Sequence, residues 1–123
     1  MVLIDTSAWI HSLRPDGDPV ITARVKELLC TGEAAWCPFV RLELWNGAGG
    51  AKEKKILEKM SVVLPELEIN QSVWATAYAL ALQSRTQGWT VPASDLVIFA
   101  CARHHGVALE HDDEHFQTLA SLH

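Results

Sequence analysis

A chain of 123 residues, 49% hydrophobic and 20% charged, has the size and composition of one domain with a full core, which excludes a disordered chain. Ten Lys and Arg against fifteen Asp and Glu leave a net charge of −5; this excludes indiscriminate polyanion binding through a broad positive field, so a nucleic-acid partner would need bound cations or a local basic patch. No apolar stretch reaches the ~20 residues that span a bilayer, and no basic segment followed by a hydrophobic one opens the chain, so a cytoplasmic protein with no membrane partner is expected.

Val2, Leu3 and Ile4 form a branched apolar run with no polar alternation, the pattern of a strand buried on both faces of a parallel sheet. The run ends on Asp5. Thr6 and Ser7 are helix-cap residues, and Ala8, Trp9, Ile10 and Leu13 recur at helical spacing, so strand passes into helix within about two residues. Sheets of this kind bind ligands at the carboxyl ends of their strands, where Asp5 stands, although a lone Asp in that place ordinarily caps the next helix. Turn chemistry fills residues 14–19, and a helix over 22–30 carries Val25, Leu28 and Leu29 on one face until Gly32 ends it. Residues 33–37 read as a short strand, and Pro38 starts a helix over 39–46 that Gly47, Gly49 and Gly50 stop. Phe39, Val40, Leu42, Leu44 and Trp45 leave that helix apolar around most of its circumference, with Glu43 on the side of Val40. A carboxylate there is costly to bury uncompensated; the competing reading is a surface Glu paired with Arg41 or a neighbour.

Residues 51–60 form a helix with Lys52, Lys55 and Lys59 along one stripe and Ile56, Leu57 and Met60 along another. Such a charged stripe is commonly a solvated face, and its functional reading is a phosphate-contacting ridge. A long helix over 71–87 places Trp74, Tyr78 and Leu82 at i, i+4 and i+8 before Gly88. Pro92 and Ser94 open a buried helix headed by Asp95 and apolar through 96–102; a last strand follows at 107–110, then a cluster of acids with His111, and a short final helix from His115. Cys30, Cys37 and Cys101 are odd in number, without CxxC spacing, and are expected as reduced core thiols. Alternating strands and helices indicate an α/β domain spanning 1–123, a parallel sheet of about four strands at most (2–5, 33–37, about 62–64 or none, 107–110) flanked by helices.

The acids Asp5, Glu43, Asp95 and Asp112 or Asp113 lie far apart in sequence, yet strand ends and adjoining helix starts share one edge of such a sheet, where they can meet. Carboxylates so gathered raise one another's pKa values unless a divalent cation lowers the cost, and oxygen ligands without thiolate suit Mg2+ or Mn2+. The residues that carry these acids resemble those of the PIN-domain ribonucleases, most closely the small VapC-type toxins of toxin–antitoxin pairs. The resemblance rests on Ile4-Asp5-Thr6-Ser7-Ala8-Trp9, on Val40-Arg41-Leu42-Glu43-Leu44, on the stretch from Val91 and Pro92 through Asp95 to Ala102, and on Asp113-Glu114-His115-Phe116, four motifs in order. Two departures are His111, where the family often carries Thr or Ser, and His115, where it often carries Asp.

The resemblance implies metal-dependent hydrolysis of RNA phosphodiesters, leaving 5′-phosphate and 3′-hydroxyl ends, with Mg2+ (or Mn2+) as cofactor. It assigns Asp5, Asp95 and Asp113 to the metal and Glu43 to the metal or its water, with Ser7 and Thr6 as supporting donors. It selects Asp113 over Asp112 because Phe116 stands three residues on, leaving Asp112 to cap the helix that starts near Glu114. As partners it implies RNA, a VapB-type antitoxin and a second copy of the chain; five Trp residues are in keeping with an interface. Three other readings compete. His111-Asp112-Asp113-Glu114-His115 matches the HxxEH motif of zinc hydrolases, but only eight residues follow His115 to supply a third ligand. An aspartyl-phosphate phosphatase on Asp5 lacks its usual partner acid, Ser7 standing there instead. An inactive PIN-fold interaction subunit is opposed by the intact set of four acids.

Overall fold

The computed structural model describes residues 1–122. Three strands, β1 (Val2–Ile4), β2 (Ala34–Ala35) and β3 (Ala108–Glu110), run parallel in the order β2-β1-β3. Seven helices are described around them: α1 (Thr6–Leu13), α2 (Pro19–Cys30), α3 (Pro38–Gly47), α4 (Ala51–Val63), α5 (Gln71–Thr86), α6 (Ala93–His105) and α7 (Glu114–Ala120). The α/β class, with a parallel sheet flanked by helices, is as the sequence indicates. The central strand is the one without polar alternation: Leu3 and Ile4 are fully buried, with helices over the sheet and neighbours on both edges.

Register decides where the site forms. Ile4 lies opposite Glu110, and the Asp5 N–H donates to the Glu110 carbonyl at 2.9 Å, so the chain leaves β1 and β3 at the same level of the same edge. Asp5 and the 111–113 turn are therefore neighbours although more than 100 residues apart. α3 packs against both α1 and α6, which brings Glu43 and Asp95 toward that edge.

Helix starts follow their caps. The Asp18 carboxylate accepts from the Val20 and Ile21 N–H groups with Pro19 in the first turn, so α2 begins at Pro19 rather than at residue 22. A separate strand at 62–64 does not form. Leu57, Met60 and Leu64 repeat at helical spacing and are buried, which carries α4 through Val63, while Val62 and Val63 are 88% and 74% exposed. Pro65 then forbids continuation. What remains of a fourth strand is a parallel bridge: the Trp36 N–H donates to Pro65 O at 3.1 Å and the Leu67 N–H to Trp36 O at 2.8 Å.

Of the three thiols, Cys37 and Cys101 are buried core groups as expected, but Cys30, at the solvent-facing end of α2, is exposed. No helix among the described residues is long and apolar enough to cross a membrane.

Candidate active site

Asp5 follows the last residue of β1 and caps α1: its Oδ2 accepts from the Ser7 N–H at 3.1 Å and from the Ser7 hydroxyl at 2.6 Å. The capping role and a place in an acid cluster are thus held by one side chain. The Ser7 hydroxyl also accepts from the Asp112 N–H at 2.9 Å, tying the turn after β3 to the start of α1. Asp5 is only 3% exposed, and burial holds its pKa above the usual carboxylate value; the Ser7 donors and the Thr6 N–H pull it back, while the nearby charge of Asp113 adds to the rise.

Glu43, one and a half turns into α3, is half-buried and accepts from the Thr6 hydroxyl at 2.8 Å. Arg41 does not pair with it but reaches Glu66 at 3.2 Å, so the surface-pair reading of Glu43 does not hold. Its pKa is raised by burial and by Asp5, against the Thr6 hydrogen bond. Of the apolar residues of α3, Val40 and Leu44 are buried while Leu42 is 62% exposed.

Asp95, in the first turn of α6, is 8% exposed. Desolvation, then the charges of Asp113 and Asp5, push its pKa up to about 7, with His115 opposing. Its Oδ2 is buried with no hydrogen-bond partner. Asp113 approaches from the start of α7 and Asp112 does not: the Asp112 carboxylate, 52% exposed, lies 2.7 Å from His11 Nε2. One expectation is reversed. The cap of α7 is Asp113, whose Oδ1 accepts from the His115 N–H at 2.9 Å, and not Asp112, because the helix starts at Glu114 and its cap is the residue immediately before.

The sheet edge thus gathers Asp5, Asp95 and Asp113, with Glu43 beside Asp5. His115 joins them, its Nδ1 lying 2.9 Å from Asp113 Oδ1 and 3.1 Å from Asp95 Oδ2. Sequence reasoning noted His115 as a departure from a family pattern and as part of the HxxEH string, not as a partner of Asp95; the usable signal was its place two residues after an acid at a helix start. His111 is directed otherwise: its Nδ1 accepts from the Asp113 N–H at 3.3 Å and its ring rests on Phe116. It lies before α7, so the two histidines of the HxxEH string do not share a helix face and do not form the zinc-peptidase pair. Lys52, Lys55 and Lys59 are exposed on α4 and make no ion pair with the acids among the described residues. Beside Glu43, a cavity of about 320 Å3 is walled by Ile10, Leu13, Leu44, Ile56 and Leu57, with Arg14 and Glu53 as further polar lining.

These features define an α/β protein with a buried, self-repelling carboxylate centre at the carboxyl edge of a parallel sheet. The chain belongs to the PIN domain family, whose sequence model matches residues 2–122. It is 31% identical to Ribonuclease VapC11 of Mycobacterium tuberculosis, over 99% of this chain and 93% of that protein. In fold it is similar to VapBC-1 of nontypeable Haemophilus influenzae (TM-score 0.76, 20% identity, 99% of this chain and 95% of that one). It is similar too to VapC20 of Mycobacterium tuberculosis, a Sarcin-Ricin loop cleaving toxin (TM-score 0.72, 18% identity, 100% and 97%).

Proposed function

We propose that this chain is a divalent-metal-dependent endoribonuclease, the toxin of a type II toxin–antitoxin pair, working in the cytoplasm. The single observation that carries the reading is the buried edge at which Asp5, Asp95 and Asp113 act on one another with Glu43 alongside. Three of these four groups have raised pKa values, and Asp95 Oδ2 has no hydrogen-bond partner. Such a set is expensive as it stands and becomes favourable around a small dication, and its oxygen donors fit Mg2+ (or Mn2+). Relatives such as Ribonuclease VapC11, named as ribonucleases, support RNA as the substrate.

In this reading Asp5, Asp95 and Asp113 hold the ion, and Glu43 serves the ion or the attacking water. Once bound, the ion lowers the pKa of a water and stabilises charge on phosphate and leaving oxygen. Ser7 fixes one oxygen of Asp5 and leaves the other free to bind; Thr6 does the same for Glu43. Lys52, Lys55 and Lys59 offer phosphate contacts for the RNA beyond the scissile bond.

A VapB-type antitoxin is the partner this reading requires, as VapBC structures are among the fold's likenesses. A homodimer is proposed from α5, where Trp74, Tyr78 and Leu82 form an apolar stripe 39%, 67% and 70% exposed.

The test is cleavage of synthetic RNAs by the purified chain in EDTA and after adding Mg2+ or Mn2+, with Asp5→Asn alongside, followed by sequencing of new 5′ ends from cells arrested on expression. Cleavage that is metal-dependent, abolished in Asp5→Asn and leaves 5′-phosphates is expected. A chain that never cuts RNA but binds partners is instead an inactive interaction subunit.

A further inference from the structure

We propose that His115 is itself a metal ligand, and that the site it forms with Asp95 and Asp113 selects Mn2+ over Mg2+. The proposal rests on the metal-dependent nuclease reading and specifies its cation.

One ligand atom from each of Asp95, Asp113 and His115 lies within 4.8 Å of the other two. Ligands at roughly 2.1 Å from a cation stand at most about 4.2 Å apart, so the three atoms need close by only a few tenths of an ångström to share one. Two of them also make no hydrogen bond, although His115 Nδ1 stands within ion-pair reach of both carboxylates. Asp95 Oδ2 and His115 Nδ1 are both buried and neither has a hydrogen-bond partner, because the 3.1 Å approach between them lacks hydrogen-bond alignment. A buried polar atom left unpaired is costly, and here two sit side by side with Asp113 Oδ1 2.9 Å from the ring nitrogen. With the ring proton on Nε2, the Nδ1 lone pair faces the space between the two carboxylates.

Local structure holds the ring there. His115 lies in the first turn of α7, where Asp113 caps its N–H, and the following residue, Phe116, is 1% exposed and anchors the helix in the core. An imidazole nitrogen in place of an oxygen changes what the site prefers. Mg2+ takes oxygen ligands and holds its waters tightly, whereas an imidazole nitrogen favours transition ions over Mg2+, and Mn2+ accepts carboxylate oxygens as Mg2+ does.

Direct binding tests this in the purified full chain. Electron spin-echo spectroscopy of the Mn2+-loaded protein should show a directly bound 14N, and calorimetry should give Mn2+ an affinity at least about tenfold above Mg2+. His115→Ala should remove the nitrogen signal and weaken Mn2+ by about tenfold or more, with Mg2+ changed far less; His115→Asp should restore binding while moving the preference toward Mg2+. Mn2+ bound tightly with no nitrogen coupling in the wild-type protein overturns the role of His115 and leaves the nuclease reading standing. Failure of either ion to bind, together with cleavage unaffected by Asp5→Asn, overturns both. The wild-type spectrum decides the matter even if a variant folds poorly.

Discussion

Asp95→Asn removes one charge from the centre of the cluster while keeping size and shape, and it should stabilise the metal-free protein while destroying its activity. The folded-state pKa of Asp95 is about 7 against an ordinary 3.8. The native state therefore keeps a proton there that the unfolded chain gives up between those two values. The stability this proton confers is fully present below about pH 4 and is lost as pH rises through about 7. At roughly 1.36 kcal/mol per pH unit, ionised Asp95 costs the fold about 4 kcal/mol at pH 8 and less than about 2 at pH 5. Asn carries no charge at either pH, and its amide can donate to Asp113, so no new orphan is made. In EDTA at pH 8 the variant should gain about 2–4 kcal/mol, a rise in melting temperature of roughly 10 °C, and the gap should at least halve at pH 5. Cleavage should fall by about a thousandfold. Thermal unfolding of both proteins at both pH values, followed by circular dichroism, is the assay. A variant less stable than wild type at pH 8, or a gap that does not change with pH, would refute the account of the site as a set of acids held against their own repulsion.

Three further outcomes are expected. Thr6→Val, which keeps shape but removes the donor to Glu43, should lower cleavage about 10–100-fold and move the acid limb of the pH–rate profile upward; an unmoved profile would show that the hydrogen bond does not set the state of Glu43. Asp113→Ala loses the α7 cap, worth about 1 kcal/mol, but relieves Asp95, so its melting temperature should stay near wild type while cleavage falls by orders of magnitude; Asp112→Ala breaks only an exposed pair with His11 and should change both by little. Tyr78→Glu with Leu82→Glu should turn a dimer into a monomer in light scattering at unchanged thermal stability, and a monomeric wild-type protein would dismiss the α5 interface.

Local chemistry alone made much of this protein readable. A run as short as Val2-Leu3-Ile4 declares a buried central strand because a strand covered on both faces has no polar side to show, and caps, prolines and helical periodicity set most helix positions to within a few residues. The same reading located Asp5, Glu43, Asp95 and Asp112 or Asp113 as the acids to watch, and the family resemblance, through Phe116, picked Asp113 of the last two. It left the answer open where the deciding interaction was not local. Residues 62–64 are as apolar as a strand, but the core lies on the side of Leu57, Met60 and Leu64, and burial of that face keeps the segment helical. Asp112 and Asp113 are adjacent and chemically alike; which one meets Asp95 follows from the register of β3 against β1 and from the start of α7, neither of which is written in the dipeptide. His115 could be seen in the sequence but not valued there. Only when parallel strands end level and α6 and α7 are packed together does its ring nitrogen come within 3.1 Å of an aspartate 20 residues away, because distance in space is set by packing and not by position in the chain.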